Sequence, residues 1–215
     1  MDYVPDNLVY AGNVSEFVKV AGEFCNLAEG SGGEDKKTLV ANLREIVARL
    51  YYLAQTLPAV EPVLEDALQQ YVVEEDYDKV KNGLKQKLGP ADDYPEVFDP
   101  VRQETEGAIS ASLSENVADI YQSLTDFILN YSNGTNEIMN DAIWYCKQDF
   151  EEHWGQKSVN ALRAMHNLLN NEEQLLAEAD GEEELNPTDP DEEMKNVDTS
   201  SWIFSKVQKR YKNDE

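Results

Sequence analysis

The chain has 215 residues, 41% of them hydrophobic, which is enough for one well-packed core and at most a small second unit. Lys and Arg number 18 against 43 Asp and Glu, a formal charge of −25. Such a surface repels nucleic-acid phosphates and anionic head groups, so it argues against direct binding to either, while it suits solubility or a basic partner.

No stretch approaches the roughly 20 apolar residues needed to cross a bilayer. The start, MDYVPDNLVYAG, has neither a basic region nor a long apolar run, and so does not read as a signal peptide. Cys25 and Cys146 are the only cysteines. They form no CxxC pair and no zinc-ligand spacing, which fits two reduced thiols on apolar faces in a cytoplasmic protein.

Helical periodicity dominates the chain. Val14, Phe17, Val18, Ala21, Phe24, Cys25 and Ala28 share one face, and Asn13 with Glu16 supplies a capping pattern. The glycines of GSGGEDK at 30–36 end this first helix. Leu39, Leu43, Ile46, Leu50, Leu53 and Leu57 then define a second helix, stopped by Pro58 and Pro62 because proline lacks the amide proton a helix interior needs. Residues 63–88 are weaker, with Tyr77, Val80, Leu84 and Leu88 suggesting a short helix closed by Gly89-Pro90. ADDYPEVFDP at 91–100 reads as an ordered loop pinned by its aromatics.

Ser112, followed three residues on by Glu115, opens a third strong helix whose stripe is Leu113, Val117, Ile120, Leu124, Phe127, Ile128 and Tyr131. NYSNGTN at 130–136 is a turn. Met139, Ile143, Cys146, Phe150 and His153 continue at four- and three-residue steps, and after Gly155 the stripe becomes Val159, Leu162, His166 and Leu169. No segment shows the strict alternation of a half-buried strand. The expectation is an all-α fold: an antiparallel helical bundle of five or six helices over residues 1–170, with an acidic C-terminal extension.

From about 172 the character changes. The run EEQLLAEADGEEELNPTDPDEEMKNVD carries twelve acids and one lysine, and 171–198 reads as a solvated linker unable to bury enough apolar surface to offset its chain entropy. The end, 199–215, changes again. Trp202, Ile203, Phe204, Val207 and Tyr211 can share one helical face, and Lys206, Lys209, Arg210 and Lys212 make it locally basic. Burying its large side chains contributes roughly 5–7 kcal/mol. Ordering its backbone costs on the order of 10 kcal/mol before helix hydrogen bonds and charge attraction are counted. A detachable docking tail is expected, on the body or on a partner.

Catalytic signatures are absent from the sequence. Glu-x-x-His pairs, His-Glu-x-x-His, Gly-x-Ser-x-Gly and phosphate-binding glycine loops do not occur. The only histidines, His153 and His166, lie thirteen residues apart, about 20 Å along a continuous helix, so one ion reaches both only if the chain breaks at Gly155. Each continues an apolar stripe, and each is expected to be a core-facing imidazole bonded to a neighbouring group. The alternative is a polar cluster in a ligand pocket with Arg163 and a carboxylate from another helix. No metal site and no cofactor is expected. Trp144 and Trp154 are expected to pack in the core.

The string WYCKQDFEEHWGQKSVNALRAMHNLL resembles the C-terminal motif of a helical bacterial family known only as a domain of unknown function, DUF5063. That motif is an aromatic-rich helix, then Phe-x-x-His-Trp-Gly, then Ala-Leu-x-Ala-x-His. Phe150, His153, Trp154, Gly155, Ala161, Leu162, Ala164 and His166 carry it here, supported upstream by EVFDP at 96–100 and LSENVADIYQSL at 113–124. The resemblance spans roughly residues 12–170 and implies a single helical domain in a bacterial cytoplasmic protein, with no activity attached. It singles out Asp99, Asp119, Tyr121, His153, Trp154 and His166 as positions inside matched motifs.

The leading functional expectation is a non-catalytic helical interaction or scaffold protein whose acidic surface meets a basic partner. A small-molecule- or metal-binding helical enzyme, with a site near His153, His166 and the EVFDP loop, is the alternative. A nucleic-acid mimic is a second alternative.

Overall fold

The structure is a computed structural model in which residues 6–96 and 109–176 are described. The acidic linker beyond Leu176 and the basic tail, with Trp202, Ile203, Phe204, Val207 and Tyr211, lie outside the described residues, as does most of the EVFDP loop; the first part of the stretch expected as linker, Glu172–Leu176, is helical and buries Leu175. The described residues all belong to one unit that runs to Ala177.

A short helix α1 (Asp6–Val9) precedes α2 (Gly12–Glu29), and a single 3₁₀ turn at Ser31–Gly33 leads to α3 (Lys36–Thr56). Then come α4 (Glu74–Leu88), a two-stranded antiparallel ribbon of β1 (Asp93–Glu96) and β2 (Ile109–Ser112), α5 (Leu113–Asn133), α6 (Asn136–Asp149), a π turn (Phe150–Trp154), α7 (Gly155–Leu169) and α8 (Glu172–Leu176). The all-α bundle expected from periodicity is the fold. Central α5 packs against α2, α4, α6 and α7, and α3 packs on α2 and α7.

The apolar stripes explain this packing. Val14, Phe17, Ala21, Phe24, Cys25 and Ala28 of α2 are buried, joined by Val20 in place of the half-buried Val18. The whole stripe from Leu39 to Leu57 is buried, and α3 ends at Thr56, leaving Leu57 between it and Pro58. Asp35 caps α3, its carboxylate accepting the Thr38 amide at 3.0 Å. Gly89 ends α4 with φ +56°, a left-handed conformation that a side chain disfavours. Ser112 caps α5 as its spacing predicts, accepting the Glu115 amide at 3.3 Å.

Three expectations need correction. Asn13 does not cap α2, which starts at Gly12 with Ala11 before it; its amide donates to the Thr56 carbonyl at the far end of α3. The segment at 93–96 is a strand rather than a loop, pairing Asp93 with Ser112 through Glu96 with Ile109. A four-residue ribbon that buries little of either face leaves no alternation to read. Its junction with α5 is held by the buried Asp92, whose carboxylate accepts the Ser114 amide at 2.7 Å and the Ser112 and Ser114 hydroxyls at 2.8 Å each.

The third correction concerns the histidine segment. α6 and α7 are one continuous helical path, with no break at Gly155. The π turn inserts one extra residue, which advances the register and turns the following positions by about a quarter-turn. Trp154 and Gly155 therefore take the inward place, and the buried stripe of α7 becomes Ser158, Ala161, Ala164, Met165 and Leu168. His153 and His166, expected in the core, are exposed. Gly155 is a packing position, because a Cβ there would collide with the Phe150 carbonyl oxygen.

Candidate functional site

The residues singled out by sequence do not converge on one site. Asp119, on the outer side of α5, accepts the Tyr77 hydroxyl from α4 at 2.8 Å and pairs with Lys157 of α7 at 2.9 Å. This carboxylate thus ties three helices together at the surface. Burial and the bond to Asp119 push the Tyr77 phenol up, so it stays a neutral donor.

Tyr121, two residues on, faces the other way and is fully buried. Its hydroxyl donates to Glu29 Oε1 at 2.8 Å, next to a contact of 3.4 Å between Cys25 Sγ and Thr125 Oγ1. Burial, with the Glu29 charge adding to it, raises the Tyr121 phenol. Burial likewise raises the Cys25 thiol to about 12 and lifts Cys146 well above its ordinary value, so neither supplies a thiolate nucleophile near neutral pH.

Trp154 is a core residue. Its indole N–H donates to the Cys146 carbonyl at 3.3 Å, and its ring lies 6.3 Å from Phe17 and 4.7 Å from Phe150. One residue earlier, His153 points out: its imidazole is 69% exposed and meets Asp149 Oδ1 at 2.9 Å through Nδ1. Arg163 is exposed as well. His166 lines an open groove between α3 and α7 of about 500 Å³, with Asn42, Arg44 and Glu45 as its other polar members. Asp99 lies outside the described residues. Among the described residues, no three His, Cys, Asp or Glu side chains gather closely enough to hold a metal ion.

The densest polar arrangement was not legible in the sequence. Between α3 and α4 the chain runs without helix or strand from Leu57 to Val73. Side chains of α5 and α6 bind its backbone along the way. Lys147 donates to the Leu57 carbonyl at 3.2 Å and Asn140 to the Glu61 carbonyl at 2.7 Å. The buried Asp141 accepts the Val63 and Leu64 amides, one on each oxygen, at 2.8 and 2.9 Å. Asn130 donates to the Gln69 carbonyl at 2.9 Å, and Asp126 Oδ1 accepts the Tyr71 and Val72 amides at 2.6 and 3.0 Å.

Most side chains of this strap are exposed, and Val72 is its buried anchor at the α4 end. The bonds therefore do the work that apolar packing does elsewhere, satisfying backbone groups that no ladder pairs. Burial raises the Asp126 carboxyl, against the lowering effect of the two amides. The one signal in the sequence is the polar pairs Asp126/Asn130 and Asn140/Asp141, set on or beside apolar stripes.

Comparison with known proteins agrees with the motif. No curated protein matches the chain. A crystal structure of protein BF1032 from Bacteroides fragilis superposes with a TM-score of 0.67 at 37% identity, covering 75% of this chain and 94% of that one. The family model described as a domain of unknown function, DUF5063, matches residues 9–171, which take in the strap, the π turn and helices α2 to α7. The chain belongs to the DUF5063 family.

Proposed function

We propose that this protein is a non-catalytic helical interaction module whose acidic surface receives a basic partner. The observation that carries the reading is a division of polar residues. Buried carboxylates and amides such as Asp92, Asn130, Asn140 and Asp141 are engaged with the chain's own backbone and hydroxyl groups. Acids such as Glu45, Glu65, Asp66, Glu75, Glu137, Glu151 and Glu152 face solvent on a chain of charge −25. A field of one sign draws an oppositely charged partner and accelerates encounter.

The tail adds a second point of attachment to that partner through its apolar side chains Trp202, Ile203, Phe204, Val207 and Tyr211 rather than through its charge: its near-balanced ordering cost suits a segment that orders on binding. The two free, buried cysteines support a reducing, cytoplasmic setting. Among the described residues no helix is long and apolar enough to cross a membrane.

The test is affinity purification with the full chain and with a chain lacking 199–215, eluted by stepped salt. One stoichiometric basic protein, released as salt rises and retained less by the shortened chain, is the expected result. A partner held equally at high salt, or no stoichiometric partner at all, overturns the reading.

A further inference from the structure

We propose that the groove between α3 and α7 binds a small organic anion, a carboxylate or phosphate ester on a short apolar body, with Arg44 and His166 holding the anionic group. The groove measures about 500 Å³, within the range of small-molecule sites and too small for a folded partner. Ala41 and Ala48 of α3 and Leu162 of α7 give it an apolar wall, and the small alanines leave the space that a longer side chain would fill.

Charge points this groove toward an anion. Several other cations of the described surface meet acids: Lys19 and Arg49 meet Glu23, Lys81 meets Asp78 and Lys157 meets Asp119. Arg44 and the imidazole of His166 have no hydrogen-bond or ion-pair partner among the described residues, yet they line the same cavity. A guanidinium presents paired N–H groups that match two oxygens of a carboxylate or phosphate, and an imidazole adds a third donor from the facing helix. Asn42 is tied to Glu34 at 3.0 Å and so lies fixed at the rim. Glu45 shares the lining, which selects against a second anionic group and favours a ligand with a donor beside its anion.

The site is independent of the partner-binding reading, and neither stands on the other. It is tested by titrating the isotope-labelled full chain with benzoate, phenyl phosphate and uncharged benzamide at constant ionic strength. The expected result is saturable shifts centred on Arg44 and His166 with at least one of the two anions and none with benzamide; the better anion identifies the head group. Arg44→Gln weakens binding about tenfold, and His166→Gln, on an exposed position, weakens it severalfold without touching the core. Shifts that fail to saturate, an equal response to benzamide, or unchanged affinity in either folded variant overturns the proposal.

Discussion

On α5 and α6, Asp126, Asn130, Asn140, Asp141 and Lys147 turn their polar atoms onto the backbone of residues 57–72. On the π turn and α7, His153, Arg163 and His166 turn theirs to solvent or to an open groove. The first face contains residues that a search for catalytic groups passes over, yet it fixes the course of the longest non-helical segment among the described residues. The second contains the histidines such a search finds first, and the fold does not depend on them. A rare residue type draws attention by its chemistry, whereas structural dependence follows from burial and from how many backbone groups a side chain satisfies.

The largest effect should come from within the second region, one residue from a histidine. Trp154→Ala removes a fully buried ring that touches Phe17 and Phe150, and should cost about 3–5 kcal/mol in denaturant unfolding. Asp141→Ala should follow, at about 2–3 kcal/mol, because two backbone amides lose a charged acceptor together.

Asp126→Asn tests the strap more finely. Folding raises the Asp126 carboxyl, so the native state holds its proton to a higher pH than the unfolded chain does. The stability this contributes is complete below the unfolded value and is lost as pH rises through the folded one. Asparagine keeps an Oδ1 acceptor for both amides and removes the buried charge. The variant should therefore gain stability relative to the parent as pH rises from about 4 toward neutral, with no gain below. The smallest effect is that of His153→Ala, within about 0.5 kcal/mol, since its pair with Asp149 is exposed.

Much of the bundle was legible because its signals are local. The Leu39-to-Leu57 rhythm, bounded by Pro58, marks the end of α3 within a residue, and Ser112 with Glu115 marks the start of α5. The strap was not legible, since its partners lie 54 to 90 residues away and its own sequence has no period. The π turn hid the true face of α7: a single inserted residue leaves a plausible stripe through His166 while the structure buries Ala164 and Met165 instead. Gly155, directly after a tryptophan, was the available clue, and it reads equally as a hinge or as a tight contact. The motif containing both histidines identified the family correctly, through residues such as Trp154 and Gly155 that the packing requires.

Native-state hydrogen exchange decides most directly which face the fold depends on. The amides of Val63 and Leu64 should exchange at least about tenfold faster in Asp141→Ala than in the parent, while they stay unchanged in a His153→Ala, His166→Ala double variant. Strap amides that remain protected without Asp141, or that open when the two histidines are removed, would contradict the division between an inward polar face that serves the fold and an outward one that does not.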